Sequence, residues 1–177
     1  MKFMFIKAFL VSAFIICLSS FSAFAGEDAR FYAQARKLAK SGQEDFAFMQ
    51  YEAILRDYPA SRFTEPALFG KGEYYFLMGN YPQSKEAFQA FLIRYPESSG
   101  RLFALAHLWH IARAQKDETA QKNFEKEIVV QKQVSLVFRD RKEYKYLSPL
   151  NHTFKAAIHI DKIEISVGGK LFAKISY

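Results

Sequence analysis

Cysteine is nearly absent from this chain. The only one, Cys17, lies inside an apolar run near the N-terminus, so the remaining residues offer no disulfide, no thiolate nucleophile and no cysteine metal ligand. Long hydrophobic runs are also missing. The longest, Phe9 to Leu18, is shorter than the roughly 20 residues that a spanning helix needs. No glycine-rich loop follows a strand pattern; Gly70-Lys71-Gly72 sits within a helical pattern, where glycine serves close packing. Serine, histidine and aspartate occur, but in no nucleophile-elbow setting. Carboxylate pairs such as Glu125 and Glu127 read as a solvated helix face. These absences leave no catalytic set, no metal site and no cofactor site to expect.

Charge of one sign is only mildly in excess. The formal net charge is +7, spread along the chain, and falls to +5 without Lys2 and Lys7. That balance could favour an acidic partner or peripheral contact with an anionic membrane surface, but a plain solvated surface is the better account of it. No basic run interleaved with stacking aromatics argues for nucleic acid, and nothing points to a small-molecule substrate.

What is present begins with a leader. Lys2 and Lys7 precede the apolar run, and Ala23-Phe24-Ala25 supplies small residues at the two positions a signal peptidase reads. The expectation is a secretory signal over residues 1–25, cleaved after Ala25, and a periplasmic product. Ile16 before Cys17, and the place of Cys17 inside the run, argue against a lipid-modified cysteine.

Residues 26–132 carry helical periodicity and an internal repeat. Tyr58-Pro59 recurs 37 residues later as Tyr95-Pro96. Counted from Glu65, Gly72, Tyr75, Gly79, Phe88 and Pro96 follow at the intervals of a helix–turn–helix unit, with Ser84 as a further small residue. An earlier unit places Phe31, Ala35, Leu38, Gly42, Ala47, Tyr51, Ile54 and Pro59 equivalently; a weaker third supplies Ala104, Leu108, Ile111, Ala120 and Phe124 without a turn glycine or closing proline. The predicted helices are Asp28–Lys40, Asp45–Asp57, Thr64–Met78, Pro82–Arg94, Arg101–Gln115 and Glu118–Gln131, with Asp45, Thr64 and Asp117 as capping acceptors. Pro82 suits a first helical position, and Gly42 and Gly79 suit left-handed helix ends.

This pattern resembles the tetratricopeptide repeat family, in the envelope type found in barrel-assembly and Tol-Pal-associated periplasmic repeat proteins. The resemblance implies a mainly α fold, three helix–turn–helix units in a short solenoid whose first helices line a hollow for a partner polypeptide. Carried over by position, the groove residues are Tyr32 and Arg36 from the first unit, Phe69, Glu73, Phe76 and Leu77 from the second, and Leu105, Trp109 and Arg113 from the third. Aromatic rings and arginines suit a peptide or a helix of another envelope protein.

Residues 133–177 change texture to β. Val134–Arg139 and Glu143–Leu147 predict short strands, and Phe154–Ile160 alternates. Ile163–Tyr177 predicts a hairpin about Gly168-Gly169, where both turn residues can take positive φ. A lone hairpin is marginal, so this tail must pair with the earlier strands or lie on the helices. Two outcomes stay open. The tail extends the interface and binds partners by strand addition, as an envelope assembly factor would, or it folds back and buries some of the groove rings. His107 and His110, three apart on one helix side, lack a third ligand nearby and read as packing histidines.

Overall fold

The computed structural model describes residues 26–134, 143–159 and 161–176. The expected leader lies outside them, as does all but Val134 of the expected strand Val134–Arg139; Val134 ends a helix. Six helices pack in adjacent antiparallel pairs: α1 (Glu27–Lys40), α2 (Glu44–Asp57), α3 (Thr64–Leu77), α4 (Tyr81–Arg94), α5 (Arg101–Ala114) and α6 (Glu118–Val134). A four-stranded antiparallel meander follows: β1 (Glu143–Leu147), β2 (Thr153–Ile158), β3 (Lys162–Val167) and β4 (Lys170–Ser176), in that spatial order.

The turn within each pair is built the same way three times. Gln43, Asn80 and Asp117 each donate a backbone N–H to the carbonyl five residues back, Leu38, Tyr75 and Ala112, at 3.0, 2.8 and 2.9 Å. Each is preceded by a residue in the left-handed region. Gly42 (φ +73°) and Gly79 (φ +69°) hold it in the first two turns, and Lys116 (φ +58°) in the third, where no glycine marks it. The joins between pairs also repeat at the 37-residue offset. Ser61 Oγ donates to Asp28 Oδ2 and Ser98 Oγ to Glu65 Oε1, both at 2.6 Å. The same hydroxyls accept from the N–H of Phe63 and of Gly100, both at 3.0 Å.

Of the capping acceptors, Asp117 takes the Ala120 N–H at 2.9 Å. The other two are corrections. Asp45 lies one residue inside α2 and accepts from the Tyr74 hydroxyl instead. Thr64 is itself the first residue of α3; its hydroxyl is engaged by the Ser61 carbonyl and the Tyr95 hydroxyl.

The sheet is amphipathic. Phe154 and Ala156 of β2, Ile163 and Ile165 of β3, and Ala173 and Ile175 of β4 are buried on one face and join the core made by α3 to α6. Gly168 (φ +56°) and Gly169 (φ +82°) form the β3–β4 turn. Strand β2 ends at Ile158; the expected end, Ile160, lies outside the described residues. A bulge between Ile165 and Ser166 leaves Phe172 as an extra residue on β4, and its ring turns toward the helices, against Phe76 and His110. A second, smaller core (Ala35, Ala39, Ala47, Tyr51, Ile54, Ala67) fills α1 to α3 and includes one residue of the tail, Leu150.

Candidate functional site: the hollow of the helical stack and its occupant

The hollow side of the stack is filled by the chain's own tail. This settles in favour of folding back, because the apolar face of a four-stranded sheet needs cover and the ring-lined face of α3 and α5 supplies it. Two glycines make the approach close. An added Cβ at Gly70 would meet the Tyr51 ring at 3.0 Å and Pro149 Cβ at 3.2 Å; at Gly100 it would meet the Tyr146 hydroxyl oxygen at 3.0 Å.

The nine expected groove residues divide by depth. Phe69 is fully buried, with its ring centroid 5.0 Å from that of Tyr146 and 6.5 Å from that of Phe154 on the sheet side. Leu105 and Trp109 are buried too, and Trp109 Nε1 donates to Glu125 Oε1 at 2.8 Å. Phe76 packs edge-on against Phe172. Arg36 and Glu73 are held by the tail, as described below. Tyr32 stacks on Phe63 within the helices, at 4.5 Å between centroids. Leu77 and Arg113 alone stay exposed, at the rim; Arg113 lies over the Trp109 ring at 5.5 Å. Of the four rings among the nine, Phe69 and Phe76 pack against rings of the sheet, whereas Tyr32 and Trp109 find their partners within the helical part.

At one end of the hollow the occupant is a turn, Ser148 to His152, between β1 and β2. It is bound as a peptide ligand would be. Arg36 Nη1 donates to the carbonyls of Ser148 and Pro149, the latter at 2.8 Å. The Tyr51 hydroxyl also donates to the Pro149 carbonyl, at 2.8 Å. Leu150 is buried in the small core, although it belongs to a turn. Asn151 takes φ +70°, which reverses the chain so that the imidazole of His152 enters between two carboxylates. Its Nδ1 lies 2.9 Å from Glu73 Oε1 and its Nε2 3.6 Å from Glu44 Oε1.

Glu73 is buried, and burial pushes its carboxyl above the ordinary carboxylate range; His152 opposes that shift. Ser148 and the Leu150 amide also favour the charged form, but neither reaches Oε2 in hydrogen-bonding geometry, and that oxygen has no full partner. The bond to Glu73 raises His152, with burial pulling the other way and Glu44 adding to the rise. The two groups are thus coupled, each favouring the charged form of the other.

At the other end stands His107, also buried. Its ring lies among Phe69, Phe76, Phe88, Phe154 and Phe172, with Phe88 stacked at 4.6 Å. Nδ1 pairs with the Phe103 carbonyl at 2.7 Å, and burial pushes the imidazole down to about 3, so it is neutral in the fold. His110 stacks on Phe172 at 5.1 Å between centroids, and burial lowers it as well. Among the described residues no three His, Cys, Asp or Glu side chains converge as a metal ion requires.

Sequence reasoning missed Ser148, Pro149, Leu150, His152, Glu44 and Tyr51 as one constellation. One signal was available: an apolar leucine between a proline and an asparagine, inside a turn. No helix among the described residues is long and apolar enough to cross a membrane. Neither a protein-family model nor any curated protein sequence matches this chain.

Proposed function

We propose that this protein is a binding scaffold of a bacterial cell envelope. In this reading its six helices are three tetratricopeptide-type units that hold a C-terminal sheet, and the sheet meets the partner by strand addition. The observation that carries the choice is the filled hollow. Phe69, Leu105 and Trp109 are closed to any outside segment while the sheet is seated, whereas among the described residues the meander keeps two edges, β1 and β4. An edge strand presents unpaired backbone groups to another chain. Periplasmic location rests on the leader expected over residues 1–25. The partner in this reading is another envelope protein.

Photo-crosslinkers placed singly at Lys145 (β1), Ser176 (β4), Leu77 and Arg113 test this in native envelope preparations. The reading expects adducts to another protein from a sheet-edge position. Adducts from Leu77 and Arg113 only would return binding to the hollow, and with it the original groove assignment; adducts from none of the four would overturn the scaffold.

A further inference from the structure

Strand β4 and helix α6 frame a cleft of about 390 Å³, walled by Lys122, Glu125, Lys126, Val129 and Val130 on the helix and Ile175 on the strand. Strand β4 is last in the sheet order, so among the described residues the backbone groups on its outer side have no strand beside them. The floor is apolar. Val130 is 53 % exposed and Ile175 is buried at the edge of the core. The mouth carries two lysines, Lys122 and Lys126, against one carboxylate, Glu125, whose Oε1 accepts from Trp109 Nε1 at 2.8 Å and Gln121 Nε2 at 3.1 Å, so positive charge is in excess there. Lys122 and Lys126 make no ion pair among the described residues.

We propose that this cleft receives an extended segment of a partner protein with alternating apolar and acidic residues, added to β4 as a fifth strand. The inference rests on the strand-addition reading above and adds which edge is used and what chemistry it selects. A strand laid beside β4 continues the sheet across α6. Its inward side chains then meet Val129 and Val130, and carboxylates along it reach Lys122 and Lys126. A second copy of this chain is a poor occupant, because pairing β4 with β4 brings Lys170 and Lys174 of both copies together. The β1 edge is built differently. It is five residues long, and its Tyr144 hydroxyl is tied to the Ser99 carbonyl at 3.1 Å.

The test uses the full chain and two blocked peptides of about eight residues, one alternating valine with glutamate and one alternating valine with lysine, at up to millimolar concentration. Amide exchange is read along β1 and β4, and emission of Trp109, the single tryptophan, reports on the cleft through Glu125. The valine–glutamate peptide should slow exchange over Ala173 to Ser176, shift the emission and bind about tenfold more tightly than the lysine peptide, less so as salt rises. The exposed double change Lys122→Gln with Lys126→Gln should erase that preference, and Lys122→Glu with Lys126→Glu should invert it. Protection over Glu143 to Leu147 instead would keep strand addition and overturn this cleft; protection at neither edge would overturn both. Equal binding of the two peptides, or an unchanged preference in the variants, would overturn the acidic partner. Protection of β4 by self-association of the chain alone would give the edge to a second copy and overturn the proposal.

Discussion

A histidine stands at each end of the filled hollow, and the two are held by opposite chemistry. His107 is walled by rings and gives one hydrogen bond to a backbone carbonyl, so burial outweighs everything else and the ring stays neutral. His152 is only partly buried and meets Glu73 and Glu44, and the carboxylates favour its protonated form. The His107 end is a packed core, insensitive to register and strongly apolar. The His152 end is a polar clasp whose strength follows hydrogen-bond geometry and protonation. One face of one helical stack thus accommodates both a sheet and a turn.

The largest effect should come from a residue at which the helices and the sheet meet. Phe69→Ala should cost about 3–5 kcal/mol, because its ring touches Phe88 and Phe91 of the helices and Tyr146 and Phe154 of the sheet. A thermal melt should show one cooperative transition at lower temperature; a split transition would mean that sheet and helices are independent units.

Next comes the acid limb. The fold keeps His107 neutral, whereas the unfolded chain protonates it near its ordinary value of about 6.5. Its contribution is therefore fully present above about 6.5 and is lost as pH falls toward about 3. That loss is of the order of 5 kcal/mol at most. Denaturant midpoints at pH 7 and pH 4 should differ strongly in the native sequence and much less in His107→Leu.

The clasp has the reverse slope. The folded protein holds the His152 proton more tightly than the unfolded chain does, so its contribution is present below about 6.5 and is lost as pH rises through the raised value, leaving Glu73 buried and charged. His152→Ala should cost about 1–3 kcal/mol near neutrality and remove this alkaline slope. Amide exchange at Leu150 and Asn151 should quicken in that variant while exchange in α5 holds. A uniform rise would make the clasp part of the core and end the contrast between the two regions.

The smallest change is Tyr51→Phe, which deletes only the hydroxyl donated to the Pro149 carbonyl. About 1 kcal/mol should be lost, with the Arg36 contacts to the turn intact. A loss as large as that of His152→Ala would show that the hydroxyl, not the imidazole, anchors the turn.

Much of the helical part was legible. The recurrence of Tyr-Pro at 37 residues has its counterpart in the paired Ser61 and Ser98 hydrogen bonds. Gly42 and Gly79 marked two turns because only glycine enters the left-handed region freely. The third turn was illegible: Lys116 adopts the same conformation, held there by the bonds of its neighbours, and lysine announces no such preference. The hairpin at Gly168-Gly169 was legible for the glycine reason. The bulge that turns Phe172 inward was not, since alternation alone places Phe172 on the outer face.

Spacing alone determined where the helices lie and that they repeat, because a 3.6-residue period assigns faces without reference to neighbours; which residues line the hollow side was implied only by the resemblance to a helical repeat. Spacing also determined that the tail is β and carries one apolar side. Only the tertiary structure decided that these two faces belong to each other, and that Glu73 and Arg36 hold the turn from Ser148 to His152. That decision depends on contacts such as Glu73 with His152, 79 residues apart in the chain. No local pattern encodes such a separation; it follows from burying two apolar surfaces in one place, with the polar groups at the seam paired as they close.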